Sequence, residues 1–247
     1  MKFYHAKSYL MLKDIFPQNA VDIAMMKREG ILYRFFRRKE KQLYQVSDYI
    51  GCMSPANVDY VLKHNPEISP ARVEVCPNSI EPVEEVTKKE ISLRTKYNIP
   101  AEATLYIYGG NLGKPQGLDF LTEVLETNNN KADRFFIIIG SGTEKQRLTD
   151  WFQSRQLSNA IMLDGMPKQD YDRLVMSCDV GLIFLDRRFT IPNYPSRLLS
   201  YLEYKMPVLI ASDTNTDVGP IAEENGYGLW AEHGDISTFT RLLDTLC

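Results

Sequence analysis

Residues 104–117 read TLYIYGGNLGKPQG, an apolar run that gives way to a glycine-rich turn. The first five residues have the length and apolar character of a buried strand, and the residues after Gly117 repeat apolar side chains at helical spacing. Glycine lets the backbone approach a ligand closely, and free amides at a helix start attract phosphate. The stretch predicts a strand–loop–helix unit with a candidate anion site. A tight turn without a ligand fits equally, because the spacing matches neither the dinucleotide fingerprint nor the P-loop.

Similar units follow one another from about residue 72 to the end of the sequence. The candidate strands are residues 72–76, 104–108, 134–139, 160–163, 180–185 and 207–211, with amphipathic stretches of crossover length between them. The runs 135–139 and 180–185 are apolar throughout, which is typical of strands covered on both faces of a sheet. The sequence therefore predicts an α/β protein with a doubly wound parallel sheet and right-handed crossovers.

A second glycine-rich loop, GSGTE at residues 140–144, follows the next predicted strand. Thr143 is placed to cap the following helix, with Gln146 at the capping-box position. Taken alone, such a loop more often ends a strand than binds a ligand. Two such loops in consecutive units favour a site, because ligands of open α/β sheets bind beyond the carboxyl ends of the strands.

A third feature is IPNYPSRLLSYLE at residues 191–203. A helix is predicted to start at Pro195, so that Ser196 and Arg197 lie in its first turn, where the positive end of the helix dipole suits a phosphate. Ser200 and Glu203 are three positions apart and share a helix face, so either could reach a ribose or sugar hydroxyl. Glu203 and its neighbour Tyr201 could equally face solvent or a neighbouring helix.

Composition excludes several classes of protein. The 247 residues include 29 Lys and Arg against 32 Asp and Glu, a formal net charge of -3, so no general basic field attracts nucleic acid. No apolar run approaches the roughly 18 residues that span a bilayer, and no signal peptide is recognised, so a cytoplasmic location is expected. Four dispersed cysteines without a CxxC pair, and three histidines, predict reduced thiols and no metal site.

The segment before residue 72 differs from the rest. Residues 27–41 contain seven Lys or Arg against two Glu, a net +5, and a helix is predicted over about residues 31–46. Cations alternate there with Ile31, Leu32, Phe35 and Phe36. Such a helix can lie on an anionic membrane, at the inner face of the plasma membrane, or pack on its own domain with its charges in water. Residues 80–98, rich in charge, predict a surface connection between a domain at 1–80 and a domain at 81–247.

Taken in order, the motifs resemble a known family. GGNLGKPQGLD, IGSGTE, LDGMPKQDYDRLVMSCDVGLIFL, PNYPSRLLSYLEYKMPVLIAS and GYGLW resemble the Rossmann-like donor-binding lobe of GT-B glycosyltransferases. The most similar are the retaining family 4 enzymes of bacterial capsule and O-antigen biosynthesis. Upstream, KDIFPQNAVD, SDYIGCMSPAN and VEVCPNSIEP resemble the end of the acceptor-side domain. The resemblance implies the C-terminal lobe of a GT-B fold, preceded by an incomplete, mostly helical N-terminal segment.

The resemblance also implies site residues. Backbone amides of Gly110, Asn111 and Gly113 would meet the donor diphosphate, with Gln116 where relatives often have a phosphate-binding Lys. Gly165 and Met166 would read the edge of the nucleobase, and Ser196 and Arg197 would hold the distal phosphate or the sugar. The two Glu that relatives carry eight positions apart correspond here to Pro192 and Ser200. Glu203, one turn further on, is the expected substitute for the ribose contact.

The implied activity is transfer of a sugar from a UDP- or GDP-sugar to a saccharide acceptor, expected to be lipid-linked, in cell-surface polysaccharide biosynthesis. No cofactor or metal is expected, because helix-end amides and Arg197 would stabilise the leaving diphosphate. No catalytic side chain is assigned, because it would lie in the acceptor-side domain, of which only about 72 residues precede the donor lobe. The chain is therefore expected to be a fragment. A sugar-nucleotide epimerase and a non-catalytic nucleotide-sugar-binding fragment remain as alternatives.

Overall fold

The structure is a computed structural model that describes residues 6–81, 83 and 91–247, with residues 91–93 described by their backbone alone. The chain forms two compact units. The first comprises the chain up to Ser79 together with Arg188–Tyr194 and Asp213–Val218, and the second comprises Ile80–Arg187, Pro195–Ser212 and Gly219–Cys247. The predicted surface connection at 80–98 lies partly outside the described residues.

All strand pairing in the described residues is parallel. The strands are β1 (Tyr9–Leu12), β2 (Tyr49–Cys52), β3 (Val73–Val75), β4 (Thr104–Asn111), β5 (Arg134–Ser141), β6 (Ala160–Leu163), β7 (Val180–Phe184), β8 (Val208–Ser212) and β9 (Gly228–Glu232). The first unit has a three-stranded sheet in the order β1-β2-β3, and the second has a six-stranded sheet in the order β6-β5-β4-β7-β8-β9. The prediction of a doubly wound, Rossmann-like parallel sheet is confirmed.

Helices connect these strands. They are α1 (Gln18–Asp22), α2 (Ile31–Val46), α3 (Pro55–His64), α4 (Ile91–Lys96), α5 (Leu118–Thr127), α6 (Lys145–Ser154), α7 (Lys168–Met176), α8 (Arg197–Glu203), α9 (Val218–Glu224) and α10 (Ile236–Leu246). The predicted helix over residues 31–46 coincides with α2. In the described part of the chain, none of these helices is both long and apolar enough to cross a bilayer.

The core of the second unit explains why its central strands are apolar throughout. Phe136 and Ile138 of β5 belong to one large buried cluster with residues of α5 and α10. Ile137 and Ile139 alternate with them and are equally buried on the other face of the sheet. A strand covered on both faces has no position for a solvent-facing polar side chain, so its sequence lacks polar alternation.

The first unit has two smaller cores. Tyr44 of α2, Ile50 of β2 and Val61 of α3 form one buried cluster. Ile15 and Ile23, on either side of α1, form another with Phe189 and Ile191 of the later segment. α3 begins at Pro55, and the Ser54 hydroxyl accepts a hydrogen bond from the Asn57 amide at the start of this helix.

Several local predictions were wrong. Thr143 does not cap α6, which follows Glu144 and has no side-chain cap. The strand predicted at 72–76 is confirmed as β3, which pairs with β2 in the first unit's sheet. β1, β2 and β9 were not predicted as strands. β1 and β2 have only four residues each, and β9 begins at a glycine, so none of them gives the long apolar run that is typical of the central strands.

Candidate functional site

The candidate site lies at the point where the large sheet reverses its winding direction. From β4 the chain adds β5 and β6 on one side, then crosses back to place β7 on the other side of β4. Open α/β sheets bind ligands outside the carboxyl ends of the strands at this kind of switch point. The glycine-rich loop at residues 109–117 begins at the carboxyl end of β4, immediately beside the switch.

The two glycine-rich loops contact each other directly through the backbone. Gly110 and Gly140 are paired in the ladder between β4 and β5, and a Cβ on Gly140 would overlap the carbonyl oxygen of Gly110. The Leu112 amide donates to the Ser141 carbonyl at 2.7 Å. The Leu112 carbonyl accepts from the Glu144 amide at 2.9 Å. The loops therefore form one rigid rim, as expected for two strand ends that share a site.

Arg197, the first residue of α8, reaches this rim. Its Nη2 lies 3.5 Å from the Asn111 carbonyl oxygen, and a Cβ on Gly110 would lie 3.5 Å from the same nitrogen. Its guanidinium carbon is 4.3 Å from the centre of the Tyr108 ring. Its Nη1 is buried and has no hydrogen-bond partner among the described residues. A buried cationic N–H group without a partner is costly, and a bound anion would satisfy it.

Two tyrosines fix the position of this cation. The Tyr108 hydroxyl donates to the Asn111 carbonyl at 2.7 Å, on the same oxygen that Arg197 approaches. The fully buried Tyr201 of α8 accepts a hydrogen bond from the Gly109 amide at 3.1 Å and lies 3.1 Å from the Ile107 carbonyl. Burial raises the pKa of both phenols, so both stay protonated and can donate. Tyr201 thus joins α8 to the end of β4.

Gln116 and the glycines beside it shape the start of α5. The side chain of Gln116 is buried, with its Oε1 unpartnered among the described residues. The backbone amide of Gln116 donates to the Gly113 carbonyl at 3.1 Å. Gly117 adopts φ 56 and ψ 50, a left-handed conformation that favours glycine. The Asn111 side chain lies against Gly113. The structure therefore brings Gly110, Asn111, Gly113 and Arg197 together, with Gln116 in the same loop.

Helix α8 departs from its prediction in where it starts. It begins at Arg197 rather than Pro195, and the amides of Leu198 and Leu199 already donate to the carbonyls of Pro195 and Ser196. The predicted set of free amides is correspondingly smaller. The exposed Ser196 immediately precedes the helix.

Ser200 and Glu203, the two polar residues further along α8, lie at different distances from the rim. Glu203 is six positions after Arg197, which corresponds to about 9 Å along the helix axis. α8 leads from β7 into the parallel strand β8, so Glu203 lies toward the end of the helix away from the rim. Ser200 lies between them and is half-buried. This placement favours Ser200 over Glu203 for a contact with a ligand at the rim.

Gly165 and Met166 follow β6, two strands away from β4 along the same edge of the sheet. Gly165 is exposed, and a Cβ there would meet no atom within 4 Å. Beside them, Lys145 of α6 donates to Asp164 at 2.7 Å, and this hydrogen bond lowers the pKa of the Asp164 carboxyl. The segment leaves open space at Gly165 where a planar group could lie.

Sequence reasoning missed Tyr108, Tyr171 and Tyr201 as parts of the site. A Cβ on Gly109 would overlap the Tyr171 hydroxyl, and one on Gly181 would overlap the Tyr201 ring. The only local signal was a glycine within an apolar strand, which marks close approach of another group without saying which group.

In the described part of the chain, no set of three or more His, Cys, Asp or Glu side chains is arranged to hold a metal ion.

Two named glycosyltransferases are similar in sequence to this chain. A Pseudomonas aeruginosa protein named "Probable glycosyltransferase WbjE" is 23% identical over 98% of this chain and 60% of its own length. WcaI of Escherichia coli K12, a glycosyl transferase named for colanic acid biosynthesis, is 29% identical over 53% of this chain and 32% of its own length. The chain therefore spans less than two thirds of the length of each of these relatives.

Solved structures share the fold at low sequence identity. Sucrose-phosphate synthase from Thermosynechococcus elongatus gives a TM-score of 0.71 at 13% identity, covering 99% of this chain and 59% of that one. Anabaena HepE in complex with UDP gives a TM-score of 0.70 at 13% identity, covering 98% and 64%. WaaG, a glycosyltransferase involved in lipopolysaccharide biosynthesis, gives 0.63 at 16% identity, covering 97% and 65%.

The resemblance to GT-B glycosyltransferases is thus confirmed at the level of family and fold. Residues 89–247, more than half of the chain, match the family described as "Glycosyl transferases group 1". With its motifs, its parallel sheet and its switch-point rim in agreement, this protein belongs to the group 1 glycosyl transferases.

Proposed function

We propose that this chain contributes to the transfer of a sugar from a nucleotide-diphosphate sugar to a saccharide acceptor in cell-surface polysaccharide biosynthesis. The observation that carries the proposal is the convergence of Arg197 with Gly110 and Asn111 at the switch point of the sheet. The family match and the names of WbjE and WcaI support glycosyl transfer over the epimerase alternative. Retention of configuration at the anomeric carbon is part of the proposal.

The proposed chemistry is electrostatic. When the bond between the anomeric carbon and the diphosphate breaks, negative charge develops on the leaving phosphate oxygens. The unpartnered Nη1 of Arg197 would donate to one of these oxygens, and the exposed backbone at Gly110 and Asn111 would accommodate the phosphates. Arg197 is fixed by Tyr108 and Asn111, so little reorganisation is needed as charge develops. The proposal includes no metal ion and no cofactor, and it assigns no catalytic acid or base.

The remaining predicted site residues take finer roles within the proposal. Gly165 and Met166 would lie beside the nucleobase, and the side-chain amide nitrogen of Gln116 would donate a hydrogen bond to the diphosphate. Ser200 would contact a ribose or sugar hydroxyl, with Glu203 the less favoured candidate because of its position near the far end of α8. UDP is the first nucleotide to test, since HepE was solved with UDP, and GDP is the second.

Binding of UDP or GDP to the chain tests the proposal directly. Calorimetric titration and the melting temperature should both report binding, because a ligand at about 100 times its dissociation constant stabilises a fold by about 2.7 kcal/mol. Arg197→Ala should weaken binding at least tenfold, since a charge-assisted hydrogen bond contributes about 1.5–3 kcal/mol. Arg155→Ala is the matched control, because Arg155 immediately follows α6 and pairs with Glu126 on the surface.

Two results would count against the donor site. The first is that neither nucleotide binds, and the second is that Arg197→Ala and Arg155→Ala behave alike. Nucleotide binding without sugar transfer, when an acceptor-side domain from a relative such as WbjE is supplied, would favour the non-catalytic binding fragment. Formation of an epimer of the donor sugar would favour the epimerase.

We also propose that α2 lies on an anionic membrane surface, which would suit a lipid-linked acceptor. Its exposed apolar side chains occupy one stripe at helical spacing: Ile31, Leu32, Phe35, Leu43 and Val46. Ile31 and Val46 are 88% and 73% exposed, large values for apolar residues of a folded protein. Arg34, Arg38 and Lys41 flank the stripe and line a shallow groove along the helix. An apolar stripe beside a row of cations is the pattern of helices that bind membrane interfaces.

Sedimentation with vesicles tests this contact. The chain should associate with vesicles that contain phosphatidylglycerol, and less with vesicles of phosphatidylcholine alone or at high salt. Replacing Ile31 and Phe35 by Ser should abolish the association, whereas Met11→Ser, an exposed apolar residue of β1, should not. Equal loss in both variants, or no binding to anionic vesicles, would mean that α2 packs against protein instead.

A further inference from the structure

His233 directly follows β9 and is buried, although histidine is a polar residue. Its backbone amide donates to the carbonyl of Ser212, the last residue of β8, at 2.8 Å. Its ring Nδ1 lies 2.6 Å from the carbonyl oxygen of Leu185, which follows β7. A carbonyl can only accept a hydrogen bond, so Nδ1 carries the proton and Nε2 carries a lone pair. Both the main chain and the ring of His233 are therefore fixed at the carboxyl end of the large sheet.

The ring of His233 lies directly against the turn that ends the first glycine-rich loop. A Cβ on Gly117 would overlap Cε1 of His233 and would lie 3.0 Å from Nε2. Within the first turn of α5, the Phe120 ring lies with its centroid 4.8 Å from that of the imidazole. The imidazole therefore contacts the beginning of α5 at two points, and at one of them only a glycine fits.

The same turn rests on the main chain of Asp186 on its other side. A Cβ on Gly117 would lie 3.1 Å from Cα of Asp186, and the Asp186 amide donates to the Pro115 carbonyl at 3.0 Å. Gln116 lies between these two supported residues, with its side chain buried and its Oε1 unpartnered among the described residues. Gly117 has no side chain with which to pack, so its position, and that of Gln116, depends on the ring of His233.

We infer that His233 is a positioning residue of the nucleotide site. Its ring holds Gly117 in place, and this fixes the direction of the Gln116 side chain and of the first amides of α5, which lack partners within the helix. His233 acts through this turn rather than by contact with the nucleotide. The inference rests on the proposed function, in which Gln116 donates to the diphosphate.

Three substitutions separate the two contacts of the ring. His233→Asn keeps an N–H group at the place of Nδ1, and thus the hydrogen bond to Leu185, but has no atoms at the places of Cε1 and Nε2. His233→Gln has the length to fill the space beside Gly117 with its amide. His233→Ala makes neither contact. If the ring positions the turn, the contact with Gly117 should matter more for the nucleotide than the hydrogen bond to Leu185 does.

Calorimetric titration with UDP, at a temperature at which every variant is folded, measures this order. His233→Gln should bind UDP within about tenfold of the unmodified chain, the range expected for one lost hydrogen bond. His233→Asn should lose more than His233→Gln does. His233→Ala should lose most, up to about 100-fold, because a displacement of about 1 Å in a positioned group can have an effect of that size.

The matched control is Tyr106→Phe. It also removes one buried hydrogen bond to a backbone carbonyl, that of Leu243 in α10, and it leaves the loop intact. It should lower the melting temperature and leave UDP affinity unchanged. Hydrogen exchange gives a measurement that needs no nucleotide: the amides of Gln116 and Gly117 should exchange faster in His233→Asn than in the unmodified chain, and at the same rate in Tyr106→Phe.

Three results would overturn the inference. The first is UDP binding by His233→Asn and His233→Ala that equals binding by the unmodified chain, which would leave His233 a structural role only. The second is an equal loss of affinity in Tyr106→Phe. The third is unchanged exchange at Gly117 in His233→Asn. Absence of UDP and GDP binding by the unmodified chain would overturn the proposed function, whereas hydrogen exchange would still decide whether His233 holds the turn.

Discussion

The guanidinium of Arg197 lies over the Tyr108 ring, while the hydroxyl of that tyrosine donates to the Asn111 carbonyl that the guanidinium approaches. Tyr108 therefore contacts the cation by its face and positions the cation's acceptor by its hydroxyl. One buried residue therefore positions the Arg197 guanidinium in two ways, through the ring that it stacks on and through the Asn111 carbonyl that it approaches. Nucleotide affinity at the proposed site should therefore depend on Tyr108, a fully buried residue.

Tyr108 substitutions should separate these two contributions. Tyr108→Phe keeps the ring and loses the hydrogen bond to Asn111, so UDP affinity should fall by up to about tenfold, corresponding to about 0.5–1.5 kcal/mol. Tyr108→Leu also loses the ring beneath Arg197 and should weaken UDP binding further. Calorimetric titration measures both affinities, with circular dichroism to confirm folding. Equal affinities of the two variants would mean that the ring does not position Arg197.

Gly140→Ala should destabilise the second unit severely. The added Cβ would overlap the Gly110 carbonyl oxygen, which is backbone of a neighbouring core strand and cannot move without breaking the ladder. A loss of about 3 kcal/mol or more is expected, as for severe overpacking. Gly165→Ala is the matched control, because a Cβ there meets nothing within 4 Å, and its stability should change by less than about 0.5 kcal/mol. Urea unfolding measures both, and similar midpoints would contradict the close approach of the loops.

Tyr201→Phe should cost about 1–3 kcal/mol of unfolding free energy, although it removes only one oxygen. The Gly109 amide would be left buried without its partner, and an unsatisfied buried donor carries its full desolvation penalty. Tyr204→Phe, at the less buried end of the same helix, should cost less. Chemical denaturation compares the two variants. A larger loss in Tyr204→Phe would show that the Tyr201 hydroxyl does not anchor α8.

Stability should depend on pH through His233. Its Nδ1 lies 2.6 Å from the Leu185 carbonyl, its ring lies 4.8 Å from the Phe120 ring centroid, and burial lowers its pKa below the usual 6.5. The unfolded chain then binds a proton at higher pH than the folded chain does. The stabilising contribution is therefore complete above about pH 6.5 and is lost as the pH falls through that value towards the folded pKa.

The comparison with His233→Phe isolates this effect, because other titrating groups contribute equally to both proteins. The unfolding free energy of the unmodified chain should fall relative to that of the variant between about pH 7.5 and about pH 5.5. The same measurement on Tyr49→Phe gives the baseline. A constant difference between the chain and His233→Phe across this range would mean that the ring is solvated and titrates normally.

The sequence alone predicted the helices and strands whose surroundings are the same along their whole length. Residues 134–139 and 180–185 are apolar throughout because both faces of the sheet are covered, and they were recognised as strands. Helix α2 was placed correctly because its periodicity spans four turns. β1 is short and lies next to a single strand, so its pattern is weak, and its pairing with β2 depends on residues 40 positions away in the chain.

The site was predictable only in its local parts. The glycine-rich loops were visible because glycine marks unusual backbone geometry within a few residues. The stacking of Arg197 on Tyr108 and the hydrogen bond from Gly109 to Tyr201 join α8 to β4 across about 90 residues of chain. No local spacing encodes such contacts. For the same reason the start of α8 was misplaced, because Pro195 favours a helix start but Tyr201 fixes where the helix sits against the sheet.

The contact between Gly110 and Gly140 also constrains how this site could diversify. No side chain separates the Gly110 carbonyl from Gly140, so main chain sets the shape of the rim at this contact, and the exposed side chain of Ser141 can vary without altering it. Engineering of ligand preference should therefore begin at Ser141 and leave the glycine pair untouched. A library built that way would change chemical selectivity while retaining a common geometric template.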